Sequence, residues 1–429
     1  MSGVRLTGRL DPSFGWDGSR LVVEDDLAPG REPPAELRGA FATVQTRPDG
    51  RCRIARDPLG INKLFWCEAE DGIVLAARPS TLIEEGFSLG EVRAVPRGAL
   101  VEPAGPPDLR LGSEPGAGGE RNAGAAAIEI RETLDAYLAA IAAARPGTEP
   151  FVCLSGGLDS SGIAALAREH FPGATAVSFD LDRSAGASED RLAAERVARE
   201  LGMPLLTVTV DDDELLAHLD TVLTEGIDWR DFNVHAGLVN AVLASAIAEA
   251  SDDALVFTGD LANEFLVDYH PEQYGGGTYY ELPRVTPAAL RAGLVKGLDS
   301  CHREIGVFAA WGLPLVQPYA VAVDAYMGLP EELLELPDRK ERLCRDVFGK
   351  RIPEFVLSRP KARAQLGGAD AGGGVLGACV DHGIDREHLR RRWAKLHDVD
   401  DVRELDRFVR AGRYRSSRPE LGGGTRERD

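Results

Sequence analysis

From residue 124 onward, two rhythms of apolar residues alternate along the chain. Short, nearly unbroken runs, "PFVCL" (150–154), "ATAVSFDL" (174–181), "LLTVTV" (205–210) and "ALVFTG" (254–259), have the length of buried strands and stop at Ser, Gly or Asp. Between them, "AAAIEIRETLDAYLAAIAAA", "DSSGIAALAREHF" and "SEDRLAAERVARELG" return to apolar residues every three or four positions, as amphipathic helices do. Strands buried on both faces and joined through helices predict βαβ crossovers, hence an α/β fold with a parallel sheet and helices on both faces. Beyond residue 285 the pattern is mostly helical.

Residues 1–112 read differently. Segments such as "SRLVVEDD", "GAFATVQTR", "RCRIARD", "KLFWCEA" and "GIVLAAR" are short, β-prone and separated by Gly, Asp and Pro turns, which predicts a smaller β-rich domain. Residues 113–123 are rich in Gly and charge and read as a linker, 124–411 as the larger domain, and 412–429 as a polar, disordered tail.

With 429 residues the chain fits two domains, and 44% hydrophobic against 28% charged residues suits globular packing. A net charge of −20 argues against nucleic acid as the main partner, because phosphate backbones need clustered Lys and Arg. The six cysteines form no CxxC pair, so buried reduced thiols are expected rather than a disulfide frame or zinc site. No leader-like segment opens the sequence and no 18 apolar residues run together, so the expectation is a cytoplasmic protein with no membrane partner.

In a parallel sheet, ligands gather at the carboxyl ends of the strands, and three such ends carry chemistry here. After "PFVCL" comes "SGGLDSSG": Leu154 ends the strand, Ser155, Gly156 and Gly157 turn, and Asp159 and Ser160 open a helix. Glycines let backbone N–H groups converge and a helix N-terminus adds partial positive charge, a geometry for phosphate. Asp159 or Ser160 as a plain helix cap is the other reading. After "ALVFTG" the chain continues "DLANEF", placing Asp260, Asn263 and Glu264 beyond Gly259. Val177, Ser178 and Phe179 sit at the end of the second strand. The run "DWRDFNVH" gathers Asp228, Arg230, Asp231, Asn233 and His235 before a helix, a candidate substrate pocket or a capped loop.

The phosphate loop resembles that of the PP-loop ATP pyrophosphatases, matching at Ser155, Gly156, Gly157, Asp159 and Ser160. "TGDLANEF" resembles the asparagine synthetase loop that reads serine-glycine-acid-glycine-alanine-Asp-Glu, and "SRPKAR" resembles that family's late Arg-x-Lys element. "GAFATVQTRPDGRCRIARDPLGINKLFW" is similar to the family's N-terminal glutaminase (Ntn) domain. That domain needs Cys after the initiator Met, where this chain has Ser2, and its Asn-Gly-Glu segment is missing, so the resemblance implies a degenerate domain that does not use glutamine.

The resemblance, to asparagine synthetases and β-lactam synthetase-like enzymes, implies a PP-loop (adenine nucleotide α-hydrolase-like) fold. The implied reaction is ATP-dependent amide-bond formation through an adenylated carboxylate, with ATP and Mg2+ required. It further implies ATP held by Leu154 to Ser160, Val177, Ser178, Phe179 and Gly259, and magnesium held by Asp159 and Asn263. Lys361 would stabilise the adenylate, and Asp260 with Glu264 would take the amine proton. Partners are then a small-molecule or peptide carboxylate and an amine, with a homodimer left open. Because Asn263 stands where the family has an acid, a non-catalytic nucleotide- or partner-binding protein stays open, as does other PP-loop adenylation such as nucleobase modification.

Overall fold

The computed structural model describes residues 3–34, 36–102, 122–183, 187–298, 303–359, 373–401, 403 and 405. Its centre is a sheet of five parallel strands: β1 (Glu149–Cys153), β2 (Thr175–Leu181), β3 (Leu205–Val210), β4 (Ala254–Phe257) and β5 (Leu315–Val316). They lie in the order β3-β2-β1-β4-β5. Phe151 of β1 pairs with Thr175 on one side and Val256 on the other, so the strand order reverses at β1 and opens a crevice between β1 and β4.

The helices follow the sequence rhythm: α1 (Ala123–Ala144), α2 (Leu158–His170), α3 (Glu189–Leu201) and α4 (Asp231–Ala250). Side chains fix their ends. Asn122 accepts from the Ala125 N–H to start α1, Ser188 accepts from the Arg191 N–H to start α3, and Gly202 at φ 64° ends α3 in the left-handed region. Helix α4 is apolar and long enough to cross a membrane by length and composition, but 67% of its apolar window is buried inside the protein, as in a core helix.

The described stretch beyond residue 285 is mostly helical, as its pattern predicts, with one short exception. Leu315 and Val316 form the edge strand β5 against Val256 and Phe257, and two residues are too few to carry a strand period.

The N-terminal residues are β-rich as expected. Gly3–Leu6, Gly72–Ala76, Phe65–Ala69 and Arg93–Ala94 form one sheet, with two three-stranded sheets beside it. This part docks on the larger one through a shared core: Trp16 meets the Tyr137 ring edge-on at 5.5 Å, and the Tyr137 hydroxyl donates to the Phe14 carbonyl at 2.9 Å. Buried Arg78 ties the halves together, paired with Asp11 at 2.8 Å and Glu225 at 2.9 Å. The cysteines behave as expected: Cys52, Cys67, Cys344 and Cys379 are buried thiols, Cys153 is half-buried, and Cys301 lies outside the described residues.

Near the chain's end, His397 stacks on Trp393 at 3.7 Å and donates from Nδ1 to the Trp393 carbonyl at 2.9 Å. Burial lowers its pKa to about 4, so it stays neutral in the fold, and the same holds for His235. The unfolded chain then takes up protons first as pH falls below ~6.5, and stability is full above that pH and lost toward pH 4. In urea melts the wild type should lose ~2 kcal/mol more than His397→Gln between pH 7 and 4.5. Equal losses would show that His397 is not neutral in the fold.

Candidate functional site

The loop after β1 needs its glycines for different reasons. Gly156 sits at φ 70°, and an added Cβ would lie 2.6 Å from the Ala193 Cβ on α3 and 2.7 Å from the Ala193 carbonyl carbon. Gly157 is the residue at which α2 starts, so neither Asp159 nor Ser160 caps the helix. Ser160 instead folds back: its Oγ accepts from the Ser155 N–H at 3.2 Å and lies 3.1 Å from the Ser155 Oγ. Asp159 projects from the first turn of α2.

The loop after β4 presses against it. A Cβ at Gly259 would stand 2.6 Å from the Ser160 nitrogen and 2.7 Å from the Asp159 carbonyl carbon, so the two loops meet backbone to backbone. Leu261 occupies the position of the motif's second glycine and takes a glycine-like φ of 86°. Such a conformation costs a bulky residue about 1–3 kcal/mol, and the buried Leu261 side chain helps to offset it. The short helix α5 (Ala262–Leu266) follows.

Around these loops a cavity of about 410 Å³ opens at the carboxyl ends of β1, β2 and β4. Its walls include Ser155, Gly157, Asp159 and Ser160 of the loop after β1, and Val177, Ser178 and Phe179 along β2. Asp260, Glu304, Phe232 and Tyr269 also line it.

Two charged clusters dominate it. Lys340, on α7 (Arg339–Phe348), is buried, and its Nζ donates to Asp159 Oδ2 at 2.6 Å, Asn263 Oδ1 at 2.6 Å and Asp268 Oδ2 at 2.9 Å. Burial alone would lower its pKa, but Asp159 and Asp268 outweigh burial and raise it above the ordinary lysine value. Glu304, which also lines the cavity, sits at the start of α6 (Ile305–Ala310), buried and paired with Arg303 at 2.9 Å. The Gln317 side-chain amide also donates to Glu304. Burial first and the Asp260 charge second push the Glu304 carboxyl well above the usual range, against the pull of Arg303. Arg303 lies 3.6 Å from Asp260, and Glu264 is buried with its Oε1 accepting from the Tyr269 hydroxyl at 2.5 Å.

Most expected nucleotide residues therefore line one cavity, and Gly156 shapes it from behind. Asp260 and Asn263 line it too, while Glu264 faces a smaller cavity of about 20 Å³ shared with Asp260 and Glu304. Lys361 and Ser2 lie outside the described residues. Arg359, which leads toward Lys361, reaches the Ser155 carbonyl at 3.4 Å and Asp190 at 2.5 Å.

Asp228, Arg230, Asp231, Asn233 and His235 do not line the cavity; Phe232 among them does. The others support its wall. Asp228 accepts from Arg230 Nε at 2.9 Å and from Asn233 Nδ2 at 2.6 Å, and Asn233 Oδ1 accepts from Arg303 at 3.0 Å. His235 Nδ1 lies 2.6 Å from the Tyr280 hydroxyl, and the Tyr280 ring meets Phe232 edge-on at 5.3 Å.

Sequence reasoning missed Lys340, Arg303, Glu304 and Asp268. For Lys340 a signal existed: it falls with Leu343, Cys344 and Val347 on the buried stripe of α7, where an unpaired lysine does not belong. Glu304 and Arg303 gave none, because "HREIGVF" reads as an ordinary helix start.

Asp159 and Asn263 converge as the magnesium expectation requires, but on the Lys340 ammonium. Their oxygens suit a hard cation, yet among the described residues no three His, Cys, Asp or Glu are placed to hold a metal. The described side chains thus do not form a resident metal cage.

A family model for asparagine synthase matches residues 130–298, which span β1, β2, β3 and β4 with both loops. The carboxyethyl-arginine β-lactam synthase of Streptomyces clavuligerus is 28% identical over 410 residues, covering 89% of this chain and 74% of that protein. Among solved structures, the NMN synthetase of Francisella tularensis covers 70% of this chain and 98% of its own, at 16% identity and a TM-score of 0.32, too distant to argue from. The loops after β1 and β4, the matched domain and the alignment along most of the chain support a likeness of this protein to the asparagine synthetase/β-lactam synthetase-like family.

Proposed function

We propose that the protein is an ATP-dependent amide-bond-forming ligase or cyclase that adenylates a carboxylate, releases pyrophosphate, and couples the acyl-adenylate to an amine or ammonia without using glutamine. The observation that carries this reading is that one cavity is lined both by the Gly-Ser loop after β1 and by the Asp260–Glu304 pair.

A substrate carboxylate oxygen attacks the α-phosphorus of ATP, the bond to the β-phosphate oxygen breaks, and pyrophosphate leaves against the N–H groups of residues 155–160. The Lys340 ammonium, and Lys361 as the family motif implies, offset the negative charge that builds on the phosphates. The amine nitrogen then attacks the acyl carbon, AMP departs, and the amine proton passes to the Asp260–Glu304 pair. A carboxylate of ordinary pKa is a weak base for an ammonium, and the burial that raises Glu304 narrows that gap. Phe232, held by Tyr269 and Tyr280, offers the organic part of the substrate an apolar wall.

Nitrogen from glutamine would need an activated nucleophile in the N-terminal part. Its cysteines, Cys52 and Cys67, are buried, and burial raises both thiols, Cys67 to about 12. The product belongs to small-molecule or peptide biosynthesis, by analogy with the β-lactam-forming relative.

Exchange of labelled pyrophosphate into ATP, driven by a panel of amino and carboxyethyl-amino acids, tests the first half. Wild type should exchange and form AMP, and Lys361→Ala and Asp159→Ala should lose it by about 100-fold or more; formation of ADP would sink the reading. Glu304→Gln should keep exchange while amide formation drops about 100-fold, with the remaining rate no longer rising with pH. Equal loss of both steps would remove Glu304 from the base role. Gly259→Ala should weaken ATP binding at least about tenfold by pushing the two loops apart. Unchanged affinity would mean that ATP does not sit between them.

A further inference from the structure

We propose that the Lys340 ammonium is the resident cation beside the loop after β1: it holds Asp159, Asn263 and Asp268 together in the nucleotide-free protein. The chain then has no divalent-metal site of its own and admits such a cation only on the phosphates of a nucleotide. This deepens the ATP-site reading and rests on it for the nucleotide-bound state alone.

The donor count carries the argument. A lysine ammonium has three N–H donors, and three side chains beyond β1 and β4 supply one acceptor each, at 2.6, 2.6 and 2.9 Å. The ammonium is spent on them. Lys340 is only 6% exposed, so water does not share the load, and a buried ammonium without such partners would be strongly disfavoured.

Asn263 fits this role better than a metal role. Its amide oxygen accepts from the ammonium without adding charge. Two carboxylates facing one ammonium leave a single surplus negative charge, and all three oxygens are already directed at Nζ. A hydrated divalent cation would have to displace the lysine from these oxygens and then face it as a like charge. A triphosphate changes the balance, because its oxygens compete with Asp159 and Asp268 for Nζ and bring their own divalent cation.

The arrangement also ties structure to site. Asp159 follows β1, Asn263 and Asp268 follow β4, and Lys340 stands on α7, so one ammonium fastens three elements around the place where phosphate should bind.

Electron paramagnetic resonance of Mn2+ with the full chain tests this. Without nucleotide, wild type should leave the free Mn2+ signal intact, and adding α,β-methylene-ATP should bind about one Mn2+ per chain as the nucleotide complex. Lys340→Met, which removes the ammonium from two carboxylates and an amide oxygen, should take up Mn2+ without nucleotide at least about tenfold more tightly than wild type. Uptake by nucleotide-free wild type at the level of Lys340→Met overturns the proposal. So does a folded Lys340→Met, checked by circular dichroism, that takes up none. Should that variant fail to fold, the wild-type titration still decides: signal loss without nucleotide contradicts the proposal and an intact signal supports it. The nucleotide-free arms do not depend on which carboxylate is activated, so failure here is separable from failure of the ligase reading.

Discussion

A buried ammonium holds the two halves of this site in register. Lys340 reaches from α7 to Asp159 beyond β1 and to Asn263 and Asp268 beyond β4, the strands that flank the crevice where strand order reverses. The paired strands β1 and β4 end at that crevice, and the segments that leave them are no longer joined by the sheet's ladder. The lysine ties those segments together. Removing one member of such a buried cluster leaves an uncompensated charge, at a cost of about 3–5 kcal/mol, so the site and the stability of the crevice depend on the same residue.

Close backbone approach is the second constraint, and it explains the glycines. Gly156 must pass Ala193, and Gly259 must pass Ser160, with room for no Cβ in either case. These contacts set the width of the cavity at the Gly-Ser loop. Elsewhere the cavity wall is built from charge and ring contacts: Arg303 is held between Glu304, Asp260 and Asn233, and Phe232 is held by Tyr269 and Tyr280. A Gly-Ser loop and an acidic, aromatic group of residues within one cavity are what the proposed reaction needs, since it would first grip a triphosphate and then remove a proton from an amine.

The parallel sheet and the Gly-Ser turn after β1 were legible because both rest on local patterns. β1, β2, β3 and β4 are apolar runs between amphipathic helices, and the loop is a string of Gly and Ser at a strand end. What escaped depends on distant parts of the chain. β5 exists only because Leu315 and Val316 pair with β4, and Glu304 matters only because the fold brings it to Asp260. The "DWRDFNVH" run shows the opposite error: its polar density is real, but Asp228 and Asn233 spend it on Arg230 and Arg303 rather than on the cavity. Lys340 lies between these cases, since its place on an apolar helix stripe was visible while its three partners were not.

The most direct test of the account is a crystal structure with α,β-methylene-ATP and a divalent cation. The account predicts the triphosphate against the backbone N–H groups of residues 155–160, the adenine along Val177–Phe179 of β2, and Lys340 Nζ turned from Asp268 toward a phosphate oxygen. A nucleotide bound elsewhere, or one that leaves these N–H groups unengaged and Lys340 unmoved, would contradict it.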